Sequence, residues 1–381
     1  MAQLTLGVMA RSLKENEHRL PLHPRHVHRI PELLRPGIFL EHGYGQRFGV
    51  ADDQLERHIG GFRSREELVA ECDVILAPKP LLSDISALRV GQVLWGWPHC
   101  VQDADLTQVA IDRQLTLIAF EAMNHWNRDG SFNLHVFHKN NELAGYCSVL
   151  HAFQIAGISG DYGPHRRAVV IGFGATARGA VTALNALGIG EVDVLTHRQR
   201  AAVAAPIHSA TIVHFDTDTT ARASHAVTDD GPVALEEYLT EHDIVVNCVL
   251  QDTDAPLTFM TEDDLKRMRP GSLVIDVSCD EGMGFTWARP TSFTDPAFVV
   301  GDHVLYYAVD HSPSYLWDAA TWEISEALLP FLPTVMAGPE AWEVNPTVRR
   351  AIEIRGGVVQ NPAILSFQGR SPLHPHLPLA T

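Results

Sequence analysis

The chain has 381 residues, enough for two domains, and its 45% hydrophobic and 20% charged residues are an ordinary composition for a globular protein. Its formal net charge of −17 argues against a surface for nucleic acid or an anionic membrane, because contacts to phosphates need clustered cations. No apolar run reaches the ~20 residues that cross a bilayer, and no signal peptide is visible, so we expect a cytoplasmic protein.

Short apolar strands alternate with helical stretches through the first 140 residues, which is typical of an α/β domain. The predicted strands cover residues 4–9, 38–41, 74–77, 93–95 and 116–119. A long helix is predicted over residues 140–155, where it would connect two domains. A turn-rich segment at residues 159–167 then leads into the next strand.

Residues 168–180 read as a buried strand, a glycine turn and the start of a helix. Gly172 allows a tight turn, Gly174 lets the backbone approach a pyrophosphate, and the helix N-terminus offers unpaired N–H groups to that anion. Ala177 takes the third position of the G-x-G-x-x-[GA] pattern, and Gly179 is predicted to let helix and strand pack closely. The residues expected to bind a dinucleotide here are Gly172, Gly174, Ala175, Thr176 and Ala177.

The second strand of this unit ends in Thr196, His197 and Arg198 rather than in an acid. An Asp or Glu at this position would hold the ribose 2′-hydroxyl of NAD, whereas a guanidinium can clamp a 2′-phosphate. We therefore favour NADP(H) over NAD(H), with His197 and Arg198 as cofactor-binding residues. Asn247, at the end of a later strand, is a further candidate for the cofactor site.

Four further strands are predicted at residues 211–215, 243–247, 273–277 and 304–309, which would complete a six-stranded sheet. Helices are predicted near residues 235–239 and over 261–268, the second capped by Thr261. Beyond residue 312 the pattern predicts helices at 319–329 and 347–354. Residues 368–381 are rich in Pro and His and are predicted to form a frayed tail.

Five cysteines, an odd number without C-x-x-C spacing, fit reduced thiols better than disulfides or a zinc site, and we expect no metal. Four other polar residues stand at or just after strand ends, where open α/β sheets bind ligands: Arg19, Lys79, His99 and Asp280. Each has a plainer interpretation as a solvated loop residue, a surface histidine or a turn cap. Taken alone, these features indicate a two-domain, nucleotide-dependent oxidoreductase of unknown substrate.

Several segments carry a more specific resemblance: residues 14–24, 41–45, 91–99, 141–145 and 280–282. In this order they resemble the alanine dehydrogenase / transhydrogenase N-terminal family, which includes saccharopine dehydrogenase and N5-(carboxyethyl)ornithine synthase. Residues 144–148 and 306–314 look closest to the carboxyethylornithine synthase branch, which also lacks the second-strand acid and uses NADP.

The resemblance implies two Rossmann-like α/β domains with an active-site cleft between them. Residues 1–140 plus 311–381 would form the substrate (catalytic) domain, and residues 141–310 the NADP-binding domain. It implies that Arg19 and Lys79 hold the carboxylate and oxo group of a pyruvate-like substrate. His99 would be the acid/base, and Asp280 would lie beside the nicotinamide.

Two positions depart from the alanine dehydrogenases, which have a small residue where Asp310 stands and an Asn where His311 stands. The extra carboxylate and imidazole suggest recognition of a cationic second substrate; the plainer interpretation is a polar turn before Pro313.

The resemblance therefore implies a cytoplasmic, homo-oligomeric NADP(H)-dependent oxidoreductase of amino-acid metabolism that reduces an imine. Its reaction would be a carboxyethylornithine synthase-like condensation of a 2-oxo acid with an amino-acid amine. The alternatives are L-alanine dehydrogenase, which uses ammonia, and a saccharopine-type dehydrogenase. An alternative from another class is a non-catalytic NADP-binding regulator or a transhydrogenase component.

Overall fold

The computed structural model describes residues 3–197, 209–218, 223–251 and 255–379. Contacts within the chain divide it into two compact units. The first unit consists of Met1–His138 and Trp317–Thr381, and the second unit is Lys139–Leu316. His311, which the sequence pattern assigned to the substrate domain, thus falls in the second unit. The cleft that the resemblance implies stays a prediction.

The strands in chain order are β1 (Leu6–Val8), β2 (Ile38–Glu41), β3 (Gly61–Arg63), β4 (Val74–Ala77), β5 (Val93–Gly96), β6 (Thr116–Ala119), β7 (Asn124–Trp126), β8 (Phe132–His135), β9 (Arg167–Ile171), β10 (Glu191–Thr196), β11 (Thr211–Asp218), β12 (Ala223–Thr228), β13 (Gly231–Ala234), β14 (Ile244–Asn247), β15 (Thr258–Met260), β16 (Leu273–Asp276), β17 (Gly284–Phe285), β18 (Ala297–Val300), β19 (Val304–Tyr307), β20 (Ile352–Arg355) and β21 (Val358–Val359).

The α-helices are α1 (Asp52–Glu56), α2 (Arg65–Glu71), α3 (Leu82–Ala87), α4 (Ala104–Asp112), α5 (His138–Ala156), α6 (Ala175–Ala186), α7 (Leu235–Thr240), α8 (Trp317–Leu328), α9 (Leu332–Ala337), α10 (Pro339–Val344), α11 (Pro346–Arg350) and α12 (Pro362–Phe367). Among the described residues, no helix is both long and apolar enough to cross a membrane.

The sheet of the first unit has the strand order β21-β20-β6-β5-β4-β1-β2-β3 over the described residues. The strands from β6 to β3 in this order run parallel, and β20 and β21 extend the sheet antiparallel at one edge. Apolar cores cover both faces, as a parallel sheet requires. The carboxyl ends of β6, β5, β4, β1 and β2 therefore lie side by side at one edge.

The sheet of the second unit has the order β13-β12-β11-β10-β9-β14-β16-β19-β18 within the described ranges. Its six parallel strands, β11 to β19 in this order, are the six that the sequence predicted, arranged 3-2-1-4-5-6 as in a dinucleotide-binding fold. The antiparallel strands β12, β13 and β18 were not predicted. Alternate residues of β9 face two different cores: Ala168 and Val170 on one side, Val169 and Ile171 on the other.

Helices α5 and α6 pack unusually closely because glycines stand at their contact. A Cβ at Gly179 would lie 1.7 Å from the Glu142 carbonyl oxygen, and one at Gly145 would lie 1.9 Å from that of Thr176. Gly179 was predicted to let helix and strand approach; the element it approaches is instead the long helix α5. Both positions therefore need a residue without a side chain.

Three predicted segments differ from the structure. Residues 261–268 form one 3₁₀ turn, Asp264–Arg267, whose N-cap is Asp263; the predicted cap Thr261 instead donates its amide (2.7 Å) and hydroxyl (2.9 Å) to the Asp264 carboxylate. The predicted helix 347–354 is wrong at its end: α11 stops at Arg350, and the β-branched Ile352 and Ile354 enter β20 beside β6.

The frayed tail is also wrong for the described residues up to 379. Arg370 and His376 are buried. Arg370 donates to Gln108 Oε1 at 2.6 Å, and His376 Nε2 accepts the Val359 amide at 3.1 Å. These long-range polar contacts hold the C-terminal segment against the rest of the first unit. They could not be predicted because the segment has no apolar periodicity.

Candidate active site

Three polar side chains meet at the carboxyl edge of the first unit's sheet. Two of them, Lys79 and His99, were predicted from the sequence, and the third, Glu121, was not. Lys79 follows β4, His99 follows β5 and Glu121 follows β6, which are neighbouring parallel strands. Lys79 Nζ lies 2.8 Å from His99 Nε2. Glu121 Oε1 accepts the His99 backbone amide at 2.7 Å and lies 3.8 Å from His99 Nδ1. The arrangement is a cation, an imidazole and a carboxyl group in line.

The contact with Lys79 determines the tautomer of His99. An ammonium group has donors and no acceptor, so Nε2 must accept from Lys79. The ring proton then resides on Nδ1, which faces Glu121 Oε1. We assign these proton positions from the hydrogen-bond network. The lone pair of His99 Nε2 is thus directed at the Lys79 ammonium.

The backbone of His99 is in the left-handed region, with φ +50°. For a residue other than glycine this conformation costs about 1–3 kcal/mol, and it persists where the surroundings enforce it. Here Glu121 holds the amide of the same residue. The strained backbone therefore belongs to the same residue whose ring contacts Lys79.

Glu121, whose side chain is 26% exposed, and the buried Glu353 form a carboxyl pair behind His99. Burial, followed by the charge of Glu353, raises the pKa of Glu121 to about 8. Glu353 lies on β20, and its own pKa is raised by burial although Asn361 donates to it at 3.0 Å. One oxygen of each carboxyl, Oε2, is buried without a hydrogen-bond partner. Neither residue was predicted: Glu121 follows a strand as Lys79 does, but β20 had been taken for a helix.

Arg19 is buried and held from two sides. Its Nε donates to Glu17 Oε1 at 2.8 Å, and its Nη2 makes a second, shorter contact with Glu17 Oε2. The guanidinium carbon lies 5.2 Å from the Trp97 ring centroid, two residues before His99. Glu17 and Trp97, which sequence reasoning missed, thus fix the orientation of Arg19.

The glycine turn of the second unit fits a dinucleotide. Gly172 has φ +113°, and Gly174 is the N-cap of α6 without a side-chain capping bond. A Cβ at Gly174 would meet no atom within 4 Å, so space is open in front of the helix N-terminus. Ala175 and Thr176 are partly exposed there, whereas Ala177 is buried in the core. These N–H groups and this space suit a pyrophosphate.

The other predicted cofactor residues have different surroundings. The His197 ring lies 3.8 Å from the Phe215 ring centroid, and loss of hydration lowers its pKa. Arg198 lies outside the described residues. Asn247 is fully buried, donates to Asp276 Oδ1 at 3.0 Å and accepts the Val249 amide at 3.1 Å.

Asp276, which was not predicted, organises the turn that carries Asp280. Its carboxylate also accepts from Tyr306 Oη at 2.8 Å and from the Cys279 amide at 3.1 Å, and burial raises its pKa to about 6. Cys279 has φ +49°. Asp280 follows directly and is half-buried, and burial raises its pKa as well.

Asp310 and His311 are in direct polar contact, with His311 Nδ1 2.6 Å from Asp310 Oδ1. The His311 ring is buried against the edge of Phe293, at 4.9 Å between centroids. Phe293 and Tyr315 stack on His151, whose Nδ1 lies 3.1 Å from Tyr307 Oη. His311 therefore borders, through Phe293, an aromatic cluster formed with His151 and Tyr315.

Two family models together match most of the chain: "Alanine dehydrogenase/PNT, N-terminal domain" over residues 7–143 and "Alanine dehydrogenase/PNT, C-terminal domain" over 152–362. The chain is 27% identical over 351 residues to an alanine dehydrogenase of Halomonas elongata, covering 87% of each protein. It is 26% identical over 334 residues to alanine dehydrogenase 2 of Staphylococcus aureus, covering 84% of each.

Two solved structures share the fold. An L-alanine dehydrogenase superposes with a TM-score of 0.73 at 20% identity, covering 96% of this chain and 99% of that one. A transhydrogenase from Sinorhizobium meliloti superposes with a TM-score of 0.69 at 20% identity, covering 94% and 99%. The predicted α/β architecture of two Rossmann-like domains is confirmed.

The raised pKa of Glu121 makes a prediction about stability. Between pH 4.5 and about 8 the folded protein keeps a proton on this carboxyl that the unfolded chain has already lost. The contribution of Glu121 to the free energy of unfolding is therefore fully present below pH 4.5 and declines as pH rises toward 8. A Glu121→Gln variant stays neutral, so its melting temperature should fall less over this range than that of the wild type. Exposed Glu56 provides the control, Glu56→Gln, which should follow the wild type. Parallel curves for Glu121→Gln and wild type would contradict the assignment.

Proposed function

We propose, on the premise that the chain belongs to the alanine dehydrogenase/PNT family, that it is a nicotinamide-dependent dehydrogenase of a small 2-amino acid. The reaction converts the amino acid to ammonia and a 2-oxo acid, such as pyruvate, and also runs in reverse. The relatives named above are alanine dehydrogenases, so they favour this reaction over the carboxyethylornithine synthase-like one that the sequence suggested first.

The observation that carries the proposal is the contact of Lys79 Nζ with His99 Nε2, backed by Glu121. The Lys79 ammonium polarises the substrate carbonyl. His99 Nε2 takes a proton from the attacking amine and returns it to the hydroxyl that leaves as water. A nicotinamide, when bound, supplies or accepts the hydride. The neighbouring Lys79 ammonium favours return of that proton from His99 to the substrate.

Arg19 binds the carboxylate of the oxo acid. A guanidinium presents several donors in a plane, and the contacts with Glu17 and Trp97 hold that plane before substrate arrives. In the second unit, the open N-terminus of α6 would hold the pyrophosphate of the dinucleotide, and Asp280 would bind the substrate amine. The Asp276 network, which fixes the preceding turn, supports this role for Asp280.

A second candidate is condensation of the oxo acid with the side-chain amine of an amino acid. The Asp310 carboxylate beside His311 favours it, because a carboxylate can pair with a substrate cation. For the cofactor we propose NADP(H). The absence of an acid at Thr196 and His197 and the Arg198 that follows support this choice.

The proposed function predicts that purified protein oxidises NADPH when pyruvate and ammonia are both present. A His99→Asn variant should lose about 10²–10⁴ in kcat, because the proton-transfer group is gone while Asn tolerates the left-handed backbone. Binding of NADPH, followed by its fluorescence, should be retained. His225→Asn, at an exposed strand position, is the control and should keep wild-type kcat. Full activity of His99→Asn would refute the acid/base role, and binding of NADPH without turnover of any amine would favour the non-catalytic alternative.

The cofactor proposal predicts that Arg198→Asp lowers the ratio of kcat/KM for NADPH to that for NADH by about tenfold or more. A charge-assisted hydrogen bond to the 2′-phosphate is worth about 1.5–3 kcal/mol, and the new carboxylate would repel that phosphate. Arg198→Lys keeps the cation and should keep most of the preference. Steady-state kinetics with both cofactors measure this ratio. An unchanged ratio in Arg198→Asp would remove the argument for NADP(H).

A further inference from the structure

A β-bulge sets the direction of the Glu353 side chain. Ile352 and Ile354 on β20 pair with two residues of β6 that are adjacent in sequence, so Glu353 between them is an extra residue. Residues two apart on a regular strand face the same side, but Ile352 and Ile354 lie in the cores on opposite faces of the sheet. Bulges re-aim side chains and are common beside active sites. Here the bulge accompanies a glutamate that is only 3% exposed.

The turn before α12 fixes both the backbone and the side chain of Glu353. Its carbonyl oxygen accepts the Asn361 amide at 3.2 Å. The Asn361 side chain accepts the Ala363 amide at 3.0 Å and donates to Glu353 Oε1, also at 3.0 Å. The thiol of the buried Cys100, which follows His99 in the chain, donates a second hydrogen bond to the Glu353 carboxyl. Two donors therefore stabilise a negative charge on Glu353.

The two carboxyl groups behind His99 each have one buried oxygen, Oε2, without a hydrogen-bond partner among the described residues. The other oxygen of Glu121, Oε1, already accepts the His99 amide at 2.7 Å. A proton on Glu121 Oε2 that is shared with Glu353 Oε2 would give both oxygens a partner. It would also remove one of two like charges that repel each other in the interior. Burial and then the charge of Glu353 raise the pKa of Glu121, which agrees with a proton at this place.

We infer that Glu353 is a positioning residue for His99: it keeps a proton on Glu121, so that a neutral carboxyl group faces His99 Nδ1. The inference rests on the proposed function, in which His99 is the acid/base. An ionised Glu121, with Oε1 3.8 Å from Nδ1, would favour the imidazolium form of the ring, which cannot accept a proton from the substrate. Glu353 acts through Glu121 and is not itself a catalytic residue.

The titratable neighbours of the pair in the described part of the chain, besides His99, are Lys79, Cys100 and His135. The Lys79 ammonium lowers the pKa of Glu121, but burial and the charge of Glu353 have larger effects in the opposite direction. Burial raises the pKa of the Cys100 thiol, so it remains a donor to Glu353. Loss of hydration lowers the pKa of His135 on β8, so its ring adds no positive charge at neutral pH.

An NMR titration of the His99 ring nitrogens tests the inference without any substrate. In Glu353→Gln the carboxylate is gone and the new amide can donate to Glu121 Oε2, so Glu121 should ionise at lower pH. The midpoint of the His99 titration should then rise by about one pH unit or more. Glu353→Asp keeps the carboxylate and should titrate closer to the wild type. Glu340 is exposed in the same unit, and Glu340→Gln should titrate as the wild type does. An unchanged midpoint in Glu353→Gln would overturn the inference.

The pH profile of kcat/KM with pyruvate, ammonia and NADPH separates positioning from a merely structural role. In Glu353→Gln the acid limb should move to higher pH by about one unit, and the activity should approach the wild-type value at high pH. Activity lowered equally at every pH, with the acid limb in place, would overturn the inference. A wild type without turnover whose His99 titration still shifts in Glu353→Gln would reject the dehydrogenase function and keep the inference.

Infrared spectroscopy of the wild type keeps the inference testable if Glu353→Gln does not fold. A protonated carboxyl group has a C=O stretching band distinct from the bands of a carboxylate. The wild type should show this band at neutral pH, where exposed carboxyl groups are ionised, and Glu121→Gln should lack it. Glu353→Asp should retain the band, because it keeps the neighbouring negative charge. A wild type without the band at neutral pH would overturn the inference.

Discussion

The contact between Lys79 Nζ and His99 Nε2 at the carboxyl edge of the first unit's sheet is the interaction on which the proposed chemistry depends. It exists because β4 and β5 are parallel neighbours, so the residues that follow them emerge side by side. An ammonium group at 2.8 Å makes Nε2 an acceptor, while Glu121 Oε1 accepts the backbone amide at 2.7 Å and lies 3.8 Å from Nδ1. A left-handed backbone at His99 is tolerated because these contacts over-determine the ring position.

In the second unit, a buried carboxylate holds a candidate site residue in place. Asp276 ends β16 and gathers three donors, from Asn247, Tyr306 and the Cys279 amide. These hydrogen bonds offset the cost of burying the carboxyl and hold the turn before Asp280. Two strands away, after β9, Gly172 and Gly174 leave the start of α6 open. A fixed acid and an open helix N-terminus thus stand at one edge of the same parallel sheet.

Much of this could be predicted from the sequence, because parallel strands covered on both faces are continuous apolar runs. Such runs identified all six parallel strands of the second unit and placed Lys79, His99 and Asp280 just after strands, whereas Arg19 lies well beyond the end of β1. The antiparallel edge strands were missed, since their patterns are mixed, and β20 looked helical because only its pairing with β6 makes it a strand.

The partners of the site residues could not be predicted in the same way. Glu353 reaches Glu121 from the far end of the chain, and Trp97 supports Arg19 across long sequence separations. No local pattern marks such pairs. Asn247 was predicted for the right strand end, yet its side chain is engaged by Asp276, 29 residues later. A sequence shows which residues can do chemistry more readily than it shows what holds them in place.

The most direct test is the protonation state of His99, read from the ¹⁵N chemical shifts of its ring nitrogens at neutral pH, with His99→Asn used to assign the signals. The Lys79 contact predicts a neutral ring with the proton on Nδ1 and an unprotonated Nε2. In Lys79→Gln, which removes the ammonium, the population of this tautomer should fall. A wild-type ring protonated on Nε2, or an imidazolium at neutral pH, would contradict the proposed arrangement.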